Sequence, residues 1–240
     1  MCKRFIYLIT FLSVLLILGH LPAWGGELDD IDALIMTYQV GGIREAITLL
    51  KNRINKKPSD GNALWLLAKA HHYLGDAETK NKLATFESGK AYADWAVKLL
   101  PKSAHAHFWQ AALTGRIGQT KGILNSLFMV RPFKNAMEHV LKLDKNYGDA
   151  YCALSQLYME APGPPLSIGN KKLALENAEK AVKTAPKNVT YLLQLAKALD
   201  HNGHKKEAMQ KVNELLRIPA IEKAPPIKKE ARALQARLSK

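Results

Sequence analysis

The sequence is short of cysteine, of acid and of long apolar runs, and each shortage removes a class of explanation. Only two cysteines occur, Cys2 and Cys152. Cys2 lies ahead of the leading apolar run, so it does not occupy the position of the acylated cysteine of a lipoprotein. With the leading segment removed Cys152 stands alone, and no intramolecular disulfide is available. Beside Tyr151, Leu154 and Tyr158 it reads as a small filler at the edge of a core stripe, with no local base or cation to make it a nucleophile. Acid is scarce too: 21 Asp and Glu stand against 35 Lys and Arg, a formal net charge of +14. Such an excess favours acidic proteins, anionic lipid or another anionic envelope component. The lysines are spread along the chain rather than clustered, which argues against nucleic acid.

The chemistry-bearing motifs are also missing. There is no Gly-rich phosphate loop, nucleophile elbow, zinc-protease helix or pair of catalytic carboxylates. The sequence therefore predicts no catalytic residue, no cofactor and no metal, and a protein that is not an enzyme. His71-His72 and His105-x-His107 are the nearest thing to a ligand set. Adjacent histidines on one helix point about 100° apart, and no carboxylate or second cysteine accompanies them at ligand spacing. Hydrogen-bonded, partly exposed histidines are expected instead.

The one apolar run, Phe5 to Leu18, is about 14 residues, too short to span a bilayer as a helix. Lys3 and Arg4 precede it and Ala23-Trp24-Gly25 follow it, the pattern of a secretory signal cleaved before Gly26. Residues 1–25 are thus read as a signal peptide, leaving a mature chain of charge +12 with no transmembrane segment. That chain would be periplasmic or secreted and not a lipoprotein. The alternative is an uncleaved N-terminal anchor.

What the sequence has in plenty is repetition. Helix ends followed by Pro or its equivalent fall at 58, 101, 145, 186 and 219, spaced by 43, 44, 41 and 33 residues. A recurring helical pattern at this period marks an array of helix pairs. The pairs are expected over about 27–58, 61–101, 104–145, 148–186 and 188–219, within one domain covering 26–240. In the first pair Gly41-Gly42 is expected to break the helices, and Ala46, Ile47, Leu50 and Ile54 to form the apolar stripe of the second. Asn62 is expected to cap the next helix, whose partner holds Ala91, Trp95, Val97 and Leu99 and stops at Pro101. Two inserts stand out. Ile123, Leu124, Leu127, Phe128, Met129 and Val130 would form a helix plugging the superhelix, the alternative being an exposed partner site. Ala161 to Leu166, rich in proline, would be a rigid loop. Ile221 to Pro226 would be a linker, and 227–238 a basic helix capping the open end.

Tyr151, Leu154, Ser155, Tyr158, Ala174, Ala178, Ala181 and Pro186 resemble the tetratricopeptide-repeat signature, in which small residues let paired helices approach and large ones fill the gap to the next pair. The match is best over 150–186 and 188–219. His107-Phe108-Trp109-Gln110-Ala111-Ala112, Gly115, Lys121-Gly122 and Phe133 to His139 are similar to the regulator-of-microtubule-dynamics family and to the related T-component proteins of TRAP transporters. That likeness covers about Asn62 to Leu238. The resemblance implies an all-α, right-handed α-solenoid of about five helix pairs with inserts. It also implies a protein or peptide partner, or a periplasmic solute-binding protein if the T-component branch applies.

Repeat phase assigns a concave face to each first helix. Asn62, Trp65, Lys69, His72 and Tyr73 fall there in the second pair, and His105, Phe108, Ala112 and Arg116 in the third. Cys152, Gln156 and Met159 follow in the fourth. Aromatic, cationic and amide groups on one wall suit an extended peptide or an anionic small ligand. Against this stands simple interhelical packing for Trp65 and Phe108.

Overall fold

A computed structural model describes residues 26–240, and the signal segment expected over 1–25 lies outside the described residues. The described chain is all helical, with no strand. Its helices are α1 (Glu27–Ile35), α2 (Val40–Lys56), α3 (Gly61–Ala77), α4 (Lys82–Leu99), α5 (Ala104–Thr120), α6 (Ile123–Leu143), α7 (Gly148–Glu160), α8 (Lys171–Thr184), α9 (Val189–His201), α10 (Lys205–Leu215) and α11 (Pro225–Leu238). A 3-10 turn, Pro219–Lys223, joins the last two.

Side-chain caps fix where α3, α5, α8 and α9 begin, Asn170 accepting from the Leu173 amide at α8. Asp60 accepts from the Ala63 amide, Ser103 from Ala106, and Asn188 from Thr190 and Tyr191. Each satisfies backbone donors that the first turn leaves free. The cap of α3 is therefore Asp60, not Asn62 as the sequence suggested; Arg53 also donates to its carboxylate at 2.8 Å. The break in the first pair lies at Thr37–Gln39, where Tyr38 takes a positive φ, rather than at Gly41-Gly42. Those glycines enter the first turn of α2, and Gly42 is needed there because a Cβ would meet the Leu34 carbonyl at 3.0 Å.

Every helix packs on its neighbours in sequence. Odd helices also touch odd ones, α1 on α3, α3 on α5, α7 on α9 and α9 on α11, whereas no comparable packing joins even helices among the described residues. Helices that crowd together line the inside of a curved stack, and those that splay apart form its outside. The odd helices are therefore the inner wall. The curvature is tight: Tyr38, in the turn after α1, packs against the cluster around Val189, Leu192 and Leu193 on α9.

Position in this stack explains where the sequence reading missed. On α4 the buried residues are Phe86, Gly89, Ala93 and Ala96, while Ala91, Trp95 and Leu99 face out. Phe86 and the small residues Gly89, Ala93 and Ala96 face inward, leaving Trp95 and Leu99 on the uncovered side of an outer helix. The apolar start of α6 does not plug the superhelix. Ile123, Leu124 and Phe128 are 81%, 71% and 79% exposed, because α6 is an outer helix that packs only on α5 and α7. The expected linker at Ile221–Pro226 is a packed turn with Ile221 buried among α9, α10 and α11. The proline-rich loop folds back on itself: the Gly169 amide donates to Pro162 O at 2.8 Å and the Asn170 amide to Tyr158 O at 2.9 Å. At Gly169 a Cβ would lie 2.0 Å from the Ala161 carbonyl, so no other residue fits.

Candidate functional site

The inner wall holds a belt of rings running from the first pair to the turn before α7, and a hydrogen bond between Asp149 and Tyr191 extends it to α9. Trp65 on α3 donates its indole N–H to Asn62 at 3.0 Å and stacks flat on His105 of α5, ring centres 4.6 Å apart. His105 Nδ1 lies 3.0 Å from the Tyr147 hydroxyl, just before α7. Tyr147 leans on Phe108, and Phe108 meets Trp109 edge to face at 5.0 Å. Tyr73 meets Tyr38 edge-on at 5.5 Å and lies 6.1 Å from Trp109. Such ring pairs prefer these offset and perpendicular geometries, so the belt is held by packing as well as by area.

Charges are threaded through the rings. Lys69 reaches Asp32 of α1 at 2.5 Å and lies over the Trp109 ring. Asp149 accepts from the Tyr191 hydroxyl at 2.8 Å. Burial first, then the nearby Asp149 carboxylate, pushes the Tyr147 and Tyr191 hydroxyls above their ordinary range. Both are therefore neutral hydrogen-bond donors at any physiological pH. Desolvation lowers His105, whose ring is flanked by Trp65 and Tyr147 although the residue stays exposed, and burial lowers His72 to about 4, so these rings are neutral as well. Burial pushes the Cys152 thiol up to about 12, which leaves no thiolate. Among the described residues no group of three or more His, Cys, Asp or Glu is placed to hold a metal. The wall is equipped to stack and to hydrogen-bond.

The predicted residues divide into three sets. Asn62, His105 and Gln156 are exposed on odd helices, and Trp65, Tyr73, Lys69, Cys152 and Met159 are partly buried beside them. Phe108 is buried and belongs to packing. Arg116 and His72 form a separate cluster at the far end of α3: Arg116 pairs with Asp76, donates to Gln119 and lies over Phe86, and His72 packs on Phe86 and Trp109. His105 and His107 are hydrogen-bonded as expected, His107 to the Pro101 carbonyl at 2.9 Å. His71 is not: it is buried under Tyr92 with no partner for either ring nitrogen among the described residues. It sits there because Gly89, whose Cβ would lie 2.6 Å from that of His71, brings α4 against α3.

Asp32, Tyr38, Trp109, Tyr147, Asp149 and Tyr191 were missed. A usable signal existed. His105 with Tyr147 and Asp149 with Tyr191 are partners 42 residues apart, one repeat of the chain. Carrying the repeat phase into the residues flanking each helix start would have found Tyr147, Asp149 and Tyr191.

Stacked helix pairs, an inner wall of first helices and small residues at the close approaches define a tetratricopeptide-type α-solenoid. Consistent with that class, the crystal structure of TTC0263, a tetratricopeptide-repeat protein of Thermus thermophilus, is similar in fold with a TM-score of 0.65 over 85% of this chain and 98% of that one, at 13% identity. Within the class, the model of the regulator of microtubule dynamics protein 1-3 family matches residues 28–161, and the chain belongs to that family. Human regulator of microtubule dynamics protein 2 is 26% identical over 118 residues, 48% of this chain and 28% of that protein, so the chain spans under a third of that curated relative. The matched residues begin at α1 and end just after α7, earlier at both ends than the expected 62–238. No described helix is long and apolar enough to cross a membrane.

Proposed function

We propose that the chain is an exported, non-enzymatic scaffold that binds a protein or peptide along the inner wall, at Asn62, Trp65, Lys69, Tyr73, His105, Gln156 and Met159. The observation that carries this reading is the belt itself. Five successive odd helices, or the turns beside them, contribute aromatic and hydrogen-bonding groups to one wall. Exposed Asn62, His105 and Gln156 offer polar contacts at intervals along it. An extended segment laid across the wall would find stacking faces and polar anchors alternating. His72 and Arg116 frame one end of it.

A second reading is supported by Tyr38. Its ring crosses from the first pair to α9 beside Thr190 and so narrows the interior. A narrowed interior favours a small ligand, as in a periplasmic T-component-like accessory that also meets a solute-binding protein. Affinity purification of the protein from its own cell envelope, with mass spectrometry of bound proteins and metabolites, separates the two. A stoichiometric protein lost on Trp65→Ala with Gln156→Ala supports the scaffold. A solute-binding protein with a co-purifying metabolite supports the accessory. A partner retained by the double variant sinks the inner-wall assignment.

A further inference from the structure

The largest anomaly on the molecule lies on the opposite wall. Ile123, Leu124, Leu127 and Phe128 form the first two turns of α6, and all four are exposed. The other face of the same helix is well packed. Val130, Met137 and Val140 are buried. Met129 and Phe133 close on Gly118 and Gly115 of α5, where a Cβ would lie 2.9 and 3.2 Å from them. Those glycines bring α6 onto α5 and so fix which face turns out. At 100° per residue the four exposed side chains share an arc of about 140°. Arg131 follows in the same arc one turn later, and Lys121 precedes the helix. Pro132 stands at the junction between this tip and the packed remainder.

We propose that this tip docks the protein onto an anionic lipid bilayer, inserting Ile123, Leu124, Leu127 and Phe128 among the acyl chains. The proposal is independent of the inner-wall reading. Two observations choose the occupant. Ile123, Leu124 and Phe128 stand 71–81% free, and Leu127 41%, so the occupant must cover several sides of each, which a fluid lipid phase does. The tip runs about 8 Å along the helix axis, so two turns of apolar side chains can lie together at a bilayer interface. The second observation is charge. The outer helices α2, α4, α6, α8 and α10 carry seventeen Lys and Arg against eight Asp and Glu. The inner helices α1, α3, α5, α7 and α9 carry three against eight. The basic excess is thus on the wall that bears the tip, with Arg131 placed to meet lipid phosphates as the apolar residues enter and Lys121, paired with Glu87 at 3.1 Å, beside it.

The test is sedimentation of the purified protein with vesicles of phosphatidylcholine alone or with phosphatidylglycerol. Wild type should bind the phosphatidylglycerol vesicles, at least tenfold more tightly than Leu124→Asp with Phe128→Asp; Arg131→Gln should lose less. Equal binding by wild type and the double variant would mean charge alone acts, and overturns the proposal. So does absence of wild-type binding, the outcome expected if the tip is a protein contact. A fluorophore at Leu124→Cys gives a second readout that does not depend on the double variant folding. Its emission should shift to the blue on adding phosphatidylglycerol vesicles, and an unchanged spectrum contradicts insertion.

Discussion

Helices α9 and α6 are both apolar, and they end up in opposite states. In α9 Val189, Tyr191, Leu192, Leu193, Leu195, Ala196 and Ala198 are all buried, with Gln194 alongside them. In the longer α6 only Val130, Met137 and Val140 are. The difference is the number of neighbours each site in the stack supplies. An inner helix such as α9 is walled by α7, α8, α10 and α11, whereas an outer one such as α6 has only α5 and α7. A helix with four neighbours can bury nearly every residue; one with two buries a single stripe. An apolar run on an outer helix is therefore left over from folding and free for another use.

This contrast can be broken or sharpened by substitution. Leu192→Ala, at a fully buried site, should cost about 2–5 kcal/mol in chemical denaturation. Gly75→Ala puts a methyl 2.3 Å from the Phe86 ring, which is itself locked in the α3–α5 interface, and should cost about 1–3 kcal/mol. The buried histidines add a pH dependence. His71 and His72 are held to about 4 when folded, against 6.5 for an ordinary imidazole, by burial first. Between those values the unfolded chain binds protons that the folded chain excludes. Stability is therefore undiminished above about pH 6.5 and falls as the pH drops towards 4, by up to about 1.4 kcal/mol per pH unit per histidine. Urea midpoints at pH 7 and 5 should differ, and His71→Leu should shrink that difference. Leu124→Ala, the outer counterpart of Leu192→Ala, should change stability by no more than about 0.5 kcal/mol. If the two leucine variants cost the same, neighbour number does not decide burial.

The same contrast explains what the sequence could and could not convey. Helix pairs were legible because Ala174, Ala178 and Ala181 recur at helical spacing and a proline-type stop closes each unit. The family likeness was legible in the His107 to Ala112 run and the basic helix after it. Burial phase on α4 was not, because Trp95 and Leu99 look like core until it is known that α4 is outer and presents Gly89, Ala93 and Ala96 to its neighbours. The fate of α6 was hidden for the same reason. Half of the inner wall was found from first-helix phase, at Trp65, Lys69, Tyr73 and His105. Tyr38, Tyr147 and Asp149 escaped because they sit in or beside turns, where helical phase gives no direction. His71 escaped because nothing local shows that Gly89 will bring α4 down upon it.

The central claim is that protein partners meet the inner wall and not the outer one. A photoreactive side chain placed at His105, exposed on the inner wall, and separately at Trp95, exposed on the outer, tests it directly in cells that make the protein. The account predicts a discrete protein adduct from His105 and none from Trp95. An adduct from Trp95 alone would contradict it.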